Sequence, residues 1–182
     1  ARGKRDRLRA RHGAEAEDAC AAVISNANVK DTALKIVGEE AFDPKFVADA
    51  KAVRVNSSSC QVYMGIREGE SIPHIGDLVF TSEAKPFSSA ELTDFHTTSR
   101  TYSVYYPDTR PQTKVPHNAI VTSINQLWEP WARLSDADYA THKARVAEES
   151  LAGLEKYIPD IRAKVDHVEV ATPRTVNRYV RH

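Results

Sequence analysis

The sequence predicts an α/β (α+β) fold in which a mixed, largely antiparallel sheet is covered by helices. Several short runs rich in β-branched and aromatic residues alternate apolar with polar side chains, which is typical of strands with one buried face. Loops and helical stretches separate these runs without forming regular βαβ units, and this arrangement favours antiparallel pairing. The 182 residues, of which 41% are hydrophobic, suffice for one well-packed core.

Composition excludes several classes of function. Lys plus Arg and Asp plus Glu both number 25, so a basic field for nucleic acid is not expected. The cysteines, Cys20 and Cys60, cannot form a four-cysteine site, and the histidines show no metal-ligand spacing, so no metal is predicted. Since no apolar run is long enough to span a bilayer, we expect a cytoplasmic protein and leave peripheral membrane contact open.

The chain opens with a strongly basic stretch, residues 1–13. It predicts either an arm for phosphate or anionic lipid, or a solvated edge strand or frayed end, and the second interpretation is the simpler. The chain stops shortly after a strand-like run that ends at Thr172 and Pro173. We therefore expect a piece of a longer polypeptide.

The first third of the sequence predicts one strand and two helices. Residues 19–25 form an apolar run centred on Val23 and Ile24, which predicts a buried strand. Residues 31–37 predict a short helix that Gly38 ends. A second helix is expected to begin at Asp43, because an aspartate followed by proline is typical of a helix start.

The remaining elements follow the same logic. Residues 56–66 alternate as a strand, and residues 78–81, 101–106, 119–127 and 165–170 predict four more. Ser88 and Glu91 have the spacing of a capping box, so a helix should begin there. Three prolines make residues 107–116 a loop. Residues 136–157 predict the longest helix, followed by a short one from Arg174, and the apolar stripe of the long helix is Ala137, Ala140, Ala144, Ala147, Leu151, Leu154 and Ile158.

Motifs for chemistry are sparse. The sequence contains no GxGxxG, no phosphate-binding P-loop and no GxSxG, and the serines at 57–59 are better explained by backbone hydrogen bonding than by catalysis. No catalytic residue is therefore predicted. Trp128 and Trp131 flank Pro130 and predict either the lining of an apolar pocket or core packing. The segment from Val23 to Asn28 predicts either a strand end that a ligand approaches closely or a simple turn.

Four segments in this order, VISNANV, SSSCQVYMGI, YYPDTRPQTKVPHNAIVTSI and VDHVEVATPRTVNRYV, resemble the phytoene desaturase-like FAD-dependent oxidoreductases. This group includes carotenoid desaturases, carotene isomerases and retinol saturases, and it belongs to the flavin amine oxidase superfamily. The resemblance covers residues 19–180 and rests on the order and spacing of the segments. It implies that residues 1–38 comprise the basic arm and part of an FAD-binding domain, and that residues 39–182 belong to a substrate domain.

The resemblance also implies a cofactor and a substrate class. Ser25, Asn26 and Ala27 match a stretch near FAD, and Tyr63, Met64, Trp128 and Trp131 are candidate residues for lining a substrate tunnel. The family's dinucleotide fingerprint and its glycine-rich C-terminal segment are absent, so this chain alone is expected to bind FAD weakly or not at all. The expected parent is a flavoprotein desaturase, dehydrogenase or isomerase that acts on a hydrophobic, carotenoid-like substrate.

Two other hypotheses remain open at this point. The chain could be a non-catalytic α/β module that binds an apolar ligand or a protein partner. It could also associate with anionic lipid through its basic arm. For the oxidoreductase the expected partners are a hydrophobic small molecule and the remainder of the parent polypeptide, and nucleic acid is not expected.

Overall fold

A computed structural model describes residues 8–12, 16–20, 22–54, 56–109 and 117–180. The chain divides into two compact units, Ala1–Arg54 and Val55–His182. The domain boundary predicted at residues 38–39 comes from the resemblance to flavin enzymes, and it stays a prediction. Most of the basic arm lies outside the described residues, as does the proline-rich segment 110–116.

The first unit contains a hairpin and two short helical regions. Strands β1 (Leu8–His12) and β2 (Ala16–Cys20) pair antiparallel. Helix α1 (Val29–Asp31) continues as a π-helical turn, Thr32–Val37, which ends at Gly38 with a φ of 100°, a conformation that favours glycine. A 3₁₀ turn, Glu39–Ala41, precedes helix α2 (Pro44–Ala52), and Asp43 caps α2 as predicted by accepting from the Lys45 N–H at 2.8 Å.

The strand predicted at residues 19–25 is wrong in its bounds and its burial. Strand β2 ends at Cys20, and residues 22–27 lie outside helix and strand. Val23 and Ile24 are 57% and 99% exposed. No described strand pairs with residues 22–27, so these β-branched residues have neither a hydrogen-bonded ladder nor a sheet face to pack on.

The second unit is a five-stranded antiparallel sheet with helices, which confirms the predicted fold class. Its strands are β3 (Ser58–Ile66), β4 (Leu78–Thr81), β5 (Arg100–Tyr105), β6 (Ala119–Gln126) and β7 (Val165–Ala171), in the order β4-β5-β6-β3-β7. All five strand predictions match these bounds to within two residues. The pairing of each strand with an antiparallel neighbour explains why the sequence alternates with period two.

Helices cover one face of the sheet. They are α3 (Ser89–Leu92), α4 (Trp128–Ala132), α5 (Asp136–Glu155), α6 (Ile161–Lys164) and α7 (Pro173–Val180), and a 3₁₀ turn, Pro107–Thr109, follows β5. Their apolar side chains pack with one set of alternate strand residues to form the core. The central members are Cys60, Val62, Met64, Tyr102, Val104, Ile120, Ile124, Trp131, Leu154, Ile158 and Ile161.

The buried side of α5 differs from the predicted stripe in the N-terminal half of the helix. Ala137, Ala140 and Ala144 are exposed, whereas Val146, Ser150 and Leu154 are buried. Ser150 can be buried because its hydroxyl donates to the carbonyl of Val146 at 2.7 Å, one helical turn earlier. Alanine is small enough to lie on either side of a helix, so it misled the periodicity argument.

Helix α7 is held to the end of α4 by one arginine. Arg174 donates from Nε to the Trp131 carbonyl at 2.8 Å and from Nη2 to the Leu134 carbonyl, and its guanidinium lies 4.7 Å from the centre of the Tyr139 ring. These bonds satisfy carbonyls at the C-terminal end of α4.

Among the described residues, no helix combines the length and apolar character needed to cross a membrane.

Candidate functional site: the open face of the sheet

The sheet of the second unit is one-sided. On the face opposite the helices, every described strand residue is half-buried or exposed, and none is buried. We call the part of this face contributed by strands β3 to β6 the open face. Its residues are Ser59, Gln61, Tyr63, Gly65, Leu78, Phe80, Thr101, Ser103, Tyr105, Ala119, Val121, Ser123 and Asn125.

Strand register places three apolar side chains of the open face in one row with a serine. Leu78 pairs with Ser103, Ser103 with Val121, and Val121 with Tyr63. In antiparallel strands, directly paired residues point to the same side and stand about 5 Å apart. Leu78 is 68% exposed and Tyr63 is 39% exposed, so apolar groups on β4, β6 and β3 lie in this row, interrupted by Ser103 on β5.

The open face carries no charged side chain. Charged residues make up 27% of the sequence, so an ordinary solvated face of this size would carry several. The polar groups of the open face are hydroxyls and amides instead, and the Tyr63 hydroxyl donates to the Gln61 side chain. Carboxylates border the open face on the edge strand β7, where the exposed Glu169 pairs with Tyr63 and the Asp166 carboxylate comes within 3.5 Å of the point where a side-chain carbon at Gly65 would stand.

Aromatic side chains extend the apolar surface at the β4 edge. Phe80 on β4 is 55% exposed, and its ring centre lies 6.0 Å from that of Phe87 in an edge-to-face arrangement. Phe87 is itself 54% exposed. Exposed rings that contact each other across neighbouring segments are typical of surfaces that bind apolar ligands or partners.

The structure separates the four residues predicted to line a substrate tunnel. Tyr63 lies on the open face, because it alternates along β3 with the buried residues Val62 and Met64. Met64 and Trp131 are 1% and 0% exposed and pack in the core on the other side of the sheet, so they do not line the open face. Trp128 is half-buried in the first turn of α4.

Trp131 has a structural explanation. Its indole N–H donates to the Gln126 side-chain oxygen at 2.8 Å, and the Gln126 amide donates to the Asp94 carbonyl at 2.9 Å. A buried tryptophan needs such a partner for its N–H, and this chain of bonds provides it. The core-packing alternative for Trp131 is the one that the structure supports.

The three residues predicted to lie near FAD belong to the first unit and are exposed. The Ser25 hydroxyl accepts from the Ala27 N–H at 3.3 Å and contacts the Thr32 hydroxyl at 2.9 Å. Asn28 caps α1, because its side-chain oxygen accepts from the Lys30 N–H at 2.8 Å. The segment is therefore a capped turn, and its contact with FAD stays a prediction.

Cys60 is not a reactive nucleophile in this fold. Its side chain is buried on the helix-covered face, and burial raises the pKa of the thiol to about 12, although the charges of Arg145 and Lys143 act in the opposite direction. A thiol with that pKa is protonated at neutral pH, and only the thiolate reacts readily.

Among the described residues, no group of three histidine, cysteine or acidic side chains could hold a metal ion.

Fold and site together define an antiparallel α/β domain with one face packed under helices, and with a partly aromatic opposite face on which strands β3 to β6 carry no charged side chain. Sequence reasoning identified Tyr63 but missed Leu78, Phe80 and Val121. Their common signal was the lack of charge on alternate positions of four strands, which becomes visible only when the register is known. No family model matches the chain, and no curated protein matches it.

Proposed function

We propose that this chain is the substrate-side part of an FAD-dependent oxidoreductase, and that its open face forms one wall of the site for a hydrophobic, carotenoid-like substrate. The observation that carries the proposal is the absence of charged side chains from the open face, together with the exposed apolar side chains on it, Leu78, Phe80 and Tyr63. The resemblance of the four sequence segments to the phytoene desaturase-like enzymes supports the same proposal.

The physical chemistry of such a substrate suits this face. A long, flat polyene gains free energy mainly from burying apolar surface, at roughly 25 cal/mol per Å², so ~200 Å² of contact contributes about 5 kcal/mol. A charged side chain beneath the substrate would lose its hydration without a partner, so a wall of hydroxyls, amides and rings is favoured. The reaction requires positioning and exclusion of water more than acid–base groups.

The described residues do not by themselves form a cradle for FAD. A dinucleotide needs free backbone N–H groups at a helix start, and at α1 the Asn28 side chain already accepts from those of Lys30 and Asp31. We therefore assign the flavin to the complete protein and expect the isolated chain to hold it weakly or not at all. The same observation favours the second candidate, a binding module for an apolar ligand without redox chemistry.

Titration with all-trans-retinol tests the binding role of the open face. We expect saturable binding to the 182-residue chain, followed by retinol fluorescence. Tyr63→Ala should weaken it by about tenfold, the equivalent of ~1.4 kcal/mol. Tyr179→Ala is the control, because Tyr179 is also an exposed tyrosine but lies on helix α7, outside the sheet.

The two variants give clear alternatives. Loss of affinity confined to Tyr63→Ala supports the open face as the binding wall. Equal affinity in all three proteins, or no saturable binding at all, would overturn the assignment. Circular dichroism of each variant shows whether the sheet is intact, so a folding defect is not mistaken for loss of the site.

A further inference from the structure

A cavity of about 490 Å³ lies on the helix-covered side of the second unit, away from the open face. The segment that ends β4, the start of β5 and the C-terminal half of α5 surround it. Its volume falls in the range of small-molecule sites. The side chains that matter here are Arg100, Tyr102, His96, Glu149, Lys156 and Tyr157.

Arg100 is the most unusual group in the cavity wall. Its side chain is only 8% exposed, which is rare for an arginine. Nη1 donates to the Thr98 carbonyl at 3.1 Å and Nη2 donates to Glu149 Oε2 at 2.5 Å, whereas Nε has no acceptor. A guanidinium has five N–H donors, and the Nε–H is enclosed by protein, so the donors that Arg100 retains for a ligand are the second N–H of Nη1 and of Nη2.

The charged side chains that line the cavity balance, since Arg100 and Lys156 face Glu83 and Glu149. Glu149 is shared between Arg100 and Arg145, whose Nη1 lies 3.6 Å from the second carboxylate oxygen. At the mouth of the cavity, Lys156 pairs with Glu83, and both side chains are well exposed. Glu149 therefore has two arginine partners, of which only Arg100 lines the cavity, and the pair at the mouth is neutral.

Histidine and tyrosine add uncharged donors. Arg145 Nη1 lies 2.5 Å from His96 Nδ1, and because arginine cannot accept a hydrogen bond, Nδ1 must be the acceptor and Nε2 must carry the proton. Tyr157 also lines the cavity and is 41% exposed. The remaining wall is mixed, because Tyr102, Ala152 and Gly153 supply apolar surface and three hydroxyl residues, Thr81, Ser82 and Thr98, complete it.

We propose that this cavity is a second binding site, for a small organic carboxylate with an aromatic or short aliphatic body. The carboxylate would lie against the unused donors of Arg100 and near Lys156, and the body would pack on Tyr102 and Ala152. This site is independent of the substrate wall, because Tyr102 and Tyr63 lie on opposite faces of the sheet.

A pair of probes of equal shape tests the role of charge. Titration of the ¹⁵N-labelled chain with 4-phenylbutyrate should shift the amide signals of Ala152, Gly153 and Thr98 saturably. The signals of Tyr63 and Gly65, on the open face, should stay in place. The neutral analogue 4-phenylbutyramide should bind at least about tenfold more weakly, since it lacks the charge that Arg100 recognises.

Substitutions in the cavity should change affinity in opposite directions. Glu149→Gln removes the carboxylate that competes for Arg100 but still accepts its hydrogen bond, so 4-phenylbutyrate should bind several-fold more tightly. Lys156→Gln should weaken binding several-fold. Lys143→Gln is the control, since Lys143 is on the same helix but does not line the cavity, and it should leave binding unchanged.

A gain of affinity in Glu149→Gln cannot arise from misfolding, so it supports the site directly. Equal binding of the acid and the amide, signal shifts on the open face only, or no saturable shift would overturn the proposal. So would unchanged affinity in both Glu149→Gln and Lys156→Gln. None of these results depends on the retinol experiment, so the two proposals can fail separately.

Discussion

At the scale of single residues, the closest packing in the second unit is where α5 approaches β5. A side-chain carbon at Gly153 would overlap the Tyr102 hydroxyl, which is buried and donates to the Ser150 carbonyl at 3.0 Å. The neighbouring ring carbon would stand 3.6 Å away, an ordinary contact. Glycine is needed here for space, although it costs helix propensity.

Gly153→Ala is therefore expected to destabilise the protein. Overpacking costs about 1–3 kcal/mol, and the better helix propensity of alanine offsets up to ~1 kcal/mol of that. Urea denaturation gives the free energy of unfolding. In a Tyr102→Phe background, where the clashing oxygen is absent, Gly153→Ala should cost little, and an equal cost in both backgrounds would contradict the packing argument.

Glu91 is the second residue with a defined energetic role. Ser88 caps helix α3 as predicted, since the Glu91 N–H donates to the Ser88 hydroxyl at 3.2 Å. Its carboxylate does not complete the predicted capping box and instead accepts from Thr97, from both the N–H and the hydroxyl of Thr98, and from Ser99. These bonds hold the segment between α3 and β5 in place.

The hydrogen bonds to Glu91 predict a loss of stability in acid. Burial raises the pKa of this carboxyl, but the four hydrogen bonds outweigh burial and bring the pKa to about 2, below its ordinary value of 4.5. A lowered pKa stabilises the folded state above the ordinary value, and this contribution disappears as the pH falls from about 4.5 to about 2.

Urea denaturation of the native protein and of Glu91→Gln at neutral pH and at pH about 3 measures this contribution. We expect the native protein to be more stable than Glu91→Gln at neutral pH, and the difference to shrink in acid, because the native carboxylate becomes protonated. A difference that stays constant over this range would show that the ionised form of Glu91 is not what stabilises the fold.

At the scale of elements, the two faces of the sheet predict different sensitivities to the same change. Val104 on β5 faces the helices and is 1% exposed, whereas Val121 on β6 lies on the open face and is half-buried. Val104→Ala should cost about 2 kcal/mol, because two buried carbons and their contacts are lost. Val121→Ala should cost less than about 1 kcal/mol.

The comparison of Val104→Ala with Val121→Ala in urea measures this difference, and the Glu91 experiment uses the same assay. The substitution is identical in the two variants, and both positions are in interior strands of the sheet. If the variants were equally unstable, the open face would carry as much packing as the helix-covered face, and the one-sided description of the sheet would be wrong.

The strands of the second unit could be predicted from the sequence because each one has one buried face in the sheet. Apolar and polar residues therefore alternate along it. The run around Val23 and Ile24 has equally strand-like residues, but no described strand pairs with it. The composition of a segment cannot reveal whether a partner strand lies beside it. In α5, the alanines predicted the helix correctly but its buried side incorrectly. Only larger residues such as Val146 and Leu154 indicate which side of the helix is packed.

The candidate site was predictable only in part for a related reason. Tyr63 could be identified because it is a large aromatic residue in an alternating strand. Its neighbours Val121 and Leu78 come from segments far apart in the chain, and they join Tyr63 only through strand register. Met64 and Trp131 are buried in the core, and sequence could not distinguish this, because a large apolar residue fits a core and a tunnel equally well. Their role in lining a substrate tunnel stays a prediction.

At the scale of the whole molecule, we propose that these residues belong to a flavin enzyme whose cofactor is held by other parts of the polypeptide. In this proposal the one-sided sheet supplies a wall of the substrate site, and the N–H groups of Lys30 and Asp31 at the start of α1 are already bonded to Asn28. The isolated 182-residue chain and the product of the complete reading frame that encodes it should therefore differ in colour.

The most direct test is to purify both proteins, pass each through gel filtration in the presence of FAD, and record the flavin absorbance of the protein peak. We predict a yellow peak for the complete product and a colourless peak for the isolated chain. A complete product without flavin would contradict the assignment to an FAD-dependent oxidoreductase, and an isolated chain that retains FAD would contradict the conclusion that its residues do not hold the cofactor.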